Sequence, residues 1–236
     1  MKSTSILKLE NITKKFGGLN ALSNCSMDLP GVGIYGLIGP NGSGKTTLFN
    51  IINGFVSPDS GKVLFNGEDI TGVSPLGTAR RGIGRTFQFT RTFPGLTVFQ
   101  NLMIAGRRFK NDREHEAWDL LKVIDLEQYA STSAGTLSYG QRKLLEFARI
   151  MMTHPSLILL DEPFSGLVSG NIDRVANLTM HANHLGNTIL LIEHNVRLVM
   201  KICSRIFVLN NGMTICEGDS EKIKQDPEVM KAYLGE

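Results

Sequence analysis

Long hydrophobic runs are missing from this sequence: no stretch of strictly apolar residues exceeds four, as in Leu157-Ile158-Leu159-Leu160. A membrane-crossing helix needs about 20 mostly apolar residues, so any membrane role is expected to be peripheral. Between Lys2 and Lys8 only Ile6 and Leu7 are apolar, too little for a secretory leader, and a cytoplasmic address is expected. Cysteine is scarce. Cys25, Cys203 and Cys216 stand far apart and are odd in number, which argues against a CxxC metal or redox motif and against a disulfide framework. All three are expected to be small buried hydrophobes. Repeats with a period of about 20–50 residues and low-complexity tracts are absent as well, which removes solenoids and propellers. Finally, acid is absent from one window: Arg80 to Lys110 holds seven basic residues and neither Asp nor Glu. The net charge of +3 is too small to imply nucleic acid, so this window reads either as a contact face or as a solvated basic surface.

What is present is the composition of a globular protein, 42% hydrophobic and 20% charged, which excludes disorder and coiled-coil rods. At 236 residues, one domain with a sub-lobe is expected. Short β-like runs (Ile34 to Ile38, Lys62 to Phe65, Leu157 to Leu160, Thr188 to Ile192, Ile206 to Leu209) alternate with helix-like segments, the α/β pattern. The runs at 157–160 and 189–192 are apolar at every position, as in parallel strands covered on both faces. Between Thr97 and Thr153 the β-like runs stop, and Val98 to Ala105, Glu114 to Leu126 and Tyr139 to Met152 read as helices.

Gly39-Pro40-Asn41-Gly42-Ser43-Gly44-Lys45-Thr46 matches GxxxxGK[ST], with a strand-like run before it and Leu48, Ile51, Ile52 and Phe55 at helical spacing after it. Such a loop aims backbone N–H groups at phosphate oxygens; Lys45 adds a point charge, the Thr46 hydroxyl suits Mg²⁺, and Thr47 stands beside it. The apolar run 157–160 ends in Asp161 and Glu162, the first expected to hold Mg²⁺ and the second to serve as general base. His194 follows a second apolar run, and parallel strands that end at one edge would bring it toward a γ-phosphate.

Leu137-Ser138-Tyr139-Gly140-Gln141, about 20 residues before Glu162, resembles the signature of ATP-binding-cassette (ABC) ATPases. The resemblance covers nearly the whole chain and orders every motif. It implies an α/β fold: a P-loop NTPase (RecA-like) core with an antiparallel β part and an inserted helical sub-lobe, residues 1–92 and 154–236 forming the core and 93–153 the lobe. It also implies Mg²⁺-dependent ATP hydrolysis. Phe16 would stack on adenine, although a phenylalanine there equally suits core packing. Gln88 would meet Mg²⁺ or the attacking water. Two cassettes would sandwich two ATP molecules, with Ser138, Gly140 and Gln141 facing the partner's nucleotide.

Within that family the chain is similar to cassette subunits of branched-chain amino-acid importers, through Phe16 to Leu19, Gly82 to Gln88, Leu96 to Val98 with Asn101-Leu102, Glu193 to Asn195 and the tail Ala232 to Glu236. This implies transmembrane permease subunits, a second cassette and, indirectly, a solute-binding protein as partners, with no nucleic acid, and attachment to the inner face of the cell membrane. A short permease helix would dock near Phe87, Phe89, Phe93, Leu96 and Phe99 with Arg85, Arg91 and Arg107. A soluble, non-transport cassette and a transporter cassette for another solute share the nucleotide motifs. A GTPase would want Asn-Lys-x-Asp, which does not occur, and a small-molecule kinase has no use for 137–141. Two departures stand out: only Arg107 to Asp112 separates two helices where a longer insertion is usual, and Val168 replaces the usual Asp or Asn after Ser165-Gly166-Leu167.

Overall fold

The computed structural model describes residues 5–87, 90–106 and 113–234. The chain opens with a long hairpin, β1 (Leu7–Phe16) and β2 (Leu19–Leu29), then enters the apolar strand β3 (Ile34–Ile38) and the helix α1 (Lys45–Ile52). Strands β4 (Ser60–Phe65) and β5 (Glu68–Asp69), helix α2 (Pro75–Arg80) and strand β6 (Ile83–Arg85) follow. Three helices come next, α3 (Val98–Ala105), α4 (Arg113–Val123) and α5 (Tyr139–Met151). The chain then alternates: β7 (Leu157–Asp161), α6 (Ser169–His184), β8 (Thr188–Ile192), α7 (Val196–Ile202), β9 (Arg205–Asn210) and β10 (Met213–Gly218), closing with α8 (Ser220–Gln225) and α9 (Pro227–Leu234).

Two sheets result. One is antiparallel, in the order β2-β1-β4-β5; the other runs β10-β9-β3-β8-β7-β6, parallel from β9 to β6 with β10 antiparallel at its edge. The all-apolar runs are explained by burial on both faces. Alternate residues of each strand enter different cores: Ile158 and Leu160 of β7 face the helices α3 to α7, while Leu157 and Leu159 join α1 and the antiparallel sheet. At roughly 25 cal/mol per Å² of apolar surface, such two-sided strands contribute most per residue to stability.

The five strand-like runs all lie in strands, two of them with exact bounds. The hairpin β1–β2 has no counterpart among them, and the reason is local. Asn11 and Asn24 sit in left-handed backbone (φ 51° each) near register shifts, so the buried Leu7, Leu9, Ile12 and Leu22, Cys25, Met27 break period two. The helix expected to reach Leu126 ends at Val123: Asp125 turns left-handed (φ 56°), and a 3₁₀ turn, Glu127–Tyr129, follows. All three cysteines are buried and free. No helix among the described residues is long and apolar enough to cross a membrane.

Val168 occupies the N-cap of α6 with extended backbone (φ −76°, ψ 157°), and no side chain among the described residues caps the helix. Val168→Asp should therefore supply the missing acceptor and raise stability by about 0.5–2 kcal/mol. Thermal unfolding should show this as a Tm higher by about 2–4 °C per kcal/mol for a domain of this size. An unchanged or lower Tm would mean that the first turn is already satisfied.

Candidate active site

Because β3, β8 and β7 are adjacent and parallel, their carboxyl ends open at one edge of the sheet. Three loops gather there: 39–44 after β3, Asp161-Glu162 at the end of β7, and Glu193-His194 after β8. This is where ligands of open parallel sheets bind. The first loop depends on its glycines. At Gly39 a Cβ would stand 2.0 Å from the Leu209 carbonyl oxygen, and at Gly44, in left-handed backbone, 2.5 Å from that of Ala21. Among the described residues no side chain caps α1, and the Leu48 N–H, which donates to Gly44 O at 2.9 Å, is already in its second turn. The earlier N–H groups thus face the loop. Lys45 is buried, and its ammonium donates to the carbonyls of Gly39 and Pro40 (both 2.8 Å) and to Ser43 Oγ (3.4 Å). Among the described residues no carboxylate pairs with it, and burial lowers its pKa. A buried cation held only by neutral oxygens beside an uncapped helix start fits an anionic phosphate chain.

Asp161 is buried and bridged to Arg85, whose Nη2 donates to Oδ2 at 2.9 Å while Nη1 donates to Asn50 Oδ1 of α1 at 2.7 Å. Thr86 Oγ1 accepts the Asp161 N–H. With the Thr46 hydroxyl and phosphate oxygens, one carboxylate of this kind suits Mg²⁺, which keeps few protein ligands. Glu162 carries left-handed backbone (φ 48°), a conformation that costs a non-glycine residue of order 1–3 kcal/mol and is held by its surroundings. Its N–H donates to Ile192 O (3.0 Å), its carbonyl accepts from Lys143 Nζ (2.8 Å), and its Oε1 lies 3.0 Å from His194 Nε2. The structure thus brings two expected site residues, Glu162 and His194, into direct contact.

Two participants escaped sequence reasoning. Glu193 is buried, and its carboxylate accepts the N–H groups of Phe164 (2.8 Å), His194 (3.1 Å) and Asn195 (3.5 Å), tying the loop after Glu162 to the turn that presents His194. The available signal was an acid at the end of an all-apolar run, the same one that singled out Asp161. Arg85, expected among docking-surface arginines, is instead interior: its side chain is 5% exposed, below the rings of Phe49, Phe55 and Phe87. Gln88, Phe89 and Arg107 lie outside the described residues, as does the short segment 107–112.

The signature residues lie at the start of α5, the helix whose Lys143 donates to the Glu162 carbonyl. Ser138 caps α5, accepting the Gln141 N–H while Gln141 Oε1 accepts the Ser138 N–H, and both are solvent-accessible. Gly140 is buried against α6, where a Cβ would meet Asn171 Nδ2 at 2.2 Å. Among the described residues no hydrogen bond or ion pair joins Ser138, Gly140 or Gln141 to the loop 39–46. Phe16 ends β1 half-exposed, with the Lys14 ammonium 5.5 Å from its ring centroid. That exposure removes the core-packing alternative for Phe16. An open cleft of about 900 Å³ runs between α2–β6 and the end of α5, lined by Leu76, Arg81, Phe87, Ile150 and His154 among others. Beside it Phe93 is exposed under the Arg149 guanidinium, Arg91 stacks on Phe87 at 3.8 Å, and Phe99 is partly buried against Trp118.

Residues 22–165 match the family model described as ABC transporter, and residues 213–236 match one described as branched-chain amino acid ATP-binding cassette transporter. The chain is 39% identical to the high-affinity branched-chain amino acid transport ATP-binding protein BraF of Pseudomonas aeruginosa, covering 99% of each. It is 38% identical to LivG of Escherichia coli, a protein of the same description, again over 99% of each. Its fold is similar to the ADP conformation of MJ1267, an ATP-binding cassette of an ABC transporter (TM-score 0.88, 34% identity, 98% of this chain and 99% of that one). It is also similar to MJ0796, an ATP-binding cassette in a dimeric, post-hydrolysis state bound to ADP and Pi (TM-score 0.79, 28% identity, 91% and 98%).

Burial pushes the Glu146 carboxyl of α5 up to about 7 from 4.5. Between those values the native state keeps a proton that the unfolded chain has released, so stability falls as pH rises through the window. Urea unfolding at pH 5 and pH 7 should show the wild type losing more than Glu146→Gln, by at most about 1.4 kcal/mol per pH unit. Glu193, raised by burial with the same sign, keeps the variant's slope from vanishing. Equal slopes in the two proteins would place the proton elsewhere.

Proposed function

We propose that this chain, which belongs to the ABC transporter family, is the ATP-binding and ATP-hydrolysing subunit of an importer for branched-chain amino acids or a related small solute. The observation that carries the activity is the buried Lys45 ammonium at an uncapped helix start, on the same sheet edge as the Glu162–His194 pair. The substrate class follows from relatives at 38–39% identity and from the family model matching the C-terminal segment.

In this reading residues Gly39 to Thr47, through their backbone N–H groups except at Pro40, and the Lys45 charge bind the phosphates of ATP, Phe16 stacks on the base, and Thr46, Asp161 and Gln88 would hold Mg²⁺. The metal, when bound, would supply charge neutralisation at the transferring phosphoryl group, the main requirement of phosphoryl transfer. Glu162 takes a proton from the attacking water. His194 holds the Glu162 carboxylate from one side and faces the γ-phosphate. Ser138, Gly140 and Gln141 donate to the nucleotide of a second cassette, identical or paralogous; the exposed position of Ser138 at the start of α5 supports that role. We assign residues 1–92 and 154–236 to the core and 93–153 to a helical lobe within a single domain. Permease subunits would hold the protein at the inner face of the membrane, with a solute-binding protein acting indirectly and no nucleic acid involved. The cleft beside Phe93 and Arg91 suits a short permease helix, since aromatics and arginines concentrate at interface cores.

Glu162→Gln should keep ATP affinity while lowering turnover about 10²–10⁴-fold, the usual worth of a general base. Lys45→Ala should instead weaken ATP binding itself, by about 1.5–3 kcal/mol. Light scattering of Glu162→Gln with ATP should report the mass of a dimer; a monomer at all ATP concentrations would require a different partner chain. Full turnover in Glu162→Gln would assign the base elsewhere.

Phe93→Ala should reduce solute uptake and co-purification with permease subunits while ATP binding by the isolated chain stays normal. The structure leaves Phe93 exposed, so its Tm should change little. Normal uptake in that variant would take Phe93 out of the docking surface.

A further inference from the structure

Two buried charged side chains lie one turn apart on α5, Lys143 and Glu146, and each is bonded to the backbone of a different loop. The Glu146 carboxylate accepts the Arg91 N–H at 3.2 Å and also that of Phe87. Lys143 is the more revealing. Its ammonium is buried in the field of four carboxylates, Glu146, Glu193, Glu162 and Asp161. Yet it makes an ion pair with none of them among the described residues, and its hydrogen bond goes to the backbone carbonyl of Glu162 at 2.8 Å. The side chain of Tyr139, at the first position of the helix, lies under the same ammonium at 5.5 Å. A buried cation that bonds a peptide oxygen amid acids fixes the orientation of that peptide. The peptide here follows a left-handed residue, whose backbone needs such outside support.

We propose that Lys143 is a positioning residue for ATP hydrolysis: it locks the left-handed backbone of Glu162, and thereby ties the carboxylate that activates water to the helix capped by Ser138. A load applied to the start of α5, as when Ser138 meets a nucleotide across a dimer, reaches Glu162 through one rigid helix and one hydrogen bond. Lys143 never touches the nucleotide, so its removal acts on turnover and leaves ATP binding alone. Glu146, three residues on, keeps the helix turned so that the ammonium faces the Glu162 peptide. The inference rests on the reading of Glu162 as the base.

The test is a double-mutant cycle on the full chain with steady-state ATP hydrolysis, mant-ATP binding and amide hydrogen exchange. Lys143→Met should lower kcat about tenfold to a hundredfold, the worth of a charge-assisted hydrogen bond, with KM and mant-ATP affinity unchanged. In the Glu162→Gln background the same change should cost less than about twofold. Exchange in a peptide spanning 160–165 should rise in Lys143→Met, while Lys143→Arg, which keeps a donor on a long stem, should recover both protection and turnover. An equal loss in both backgrounds, unchanged exchange, or an unchanged kcat in Lys143→Met would each overturn the proposal. Failure of the underlying reading shows separately, as full turnover in Glu162→Gln alone, and would overturn the proposal with it. Should Lys143→Met not fold, Lys143→Gln, too short to reach the carbonyl, carries the same cycle.

Discussion

Everything at the candidate site depends on β3, β8 and β7 being buried on both faces. A strand covered by helices on one side and by a second sheet on the other has nowhere to send a polar residue until its end. Polar chemistry is therefore expelled to the carboxyl edge, where Asp161, Glu162, Glu193 and His194 accumulate within two loops. The same constraint keeps the edge in register, because Asp161 pairs with Ile192 and Gly36 with Leu191. At Gly36 a Cβ would approach Val199 Cγ1 to 2.5 Å, so only glycine lets α7 close over the strand whose end becomes the phosphate loop.

The ionised groups at this edge are balanced mainly by backbone dipoles. Lys45 faces the carbonyls of Gly39 and Pro40, Lys143 that of Glu162, and Glu193 the N–H groups of three residues. Asp161 and Glu162 are the exceptions, the first paired with the buried Arg85 and the second 3.0 Å from His194 Nε2. Groups held by peptide dipoles are oriented without being neutralised, which leaves their charge available to a ligand.

Much of this was legible in the sequence because it is local. The loop 39–46, the pair Asp161-Glu162 and the cap at Ser138 each lie within eight contiguous residues, and their chemistry follows from residue type and order. Arg85 shows where such reading stops: a basic residue among phenylalanines looks like a surface, and only its ion pair with Asp161, far along the chain, makes it interior. Glu193 was hidden behind its neighbour His194, since nothing local says that three backbone N–H groups converge on it. The hairpin β1–β2 was missed because its bulges at Asn11 and Asn24 erase the alternation that marks a half-buried strand.

The motifs that identify the site all lie before residue 195, yet the phosphate loop takes its shape from chain that comes later. The Leu209 carbonyl closes the space above Gly39, the Gly212 N–H donates to Ser43 O, and the Ser23 N–H donates to Gly212 O, joining the first hairpin to the last strands. These contacts span about 170–190 residues, and closing so large a loop costs entropy before any contact rewards it. During synthesis, then, the chain carries a complete set of recognisable motifs before it carries a finished pocket. The order in which the ribosome releases it makes the turn at 209–212 the last wall to be set.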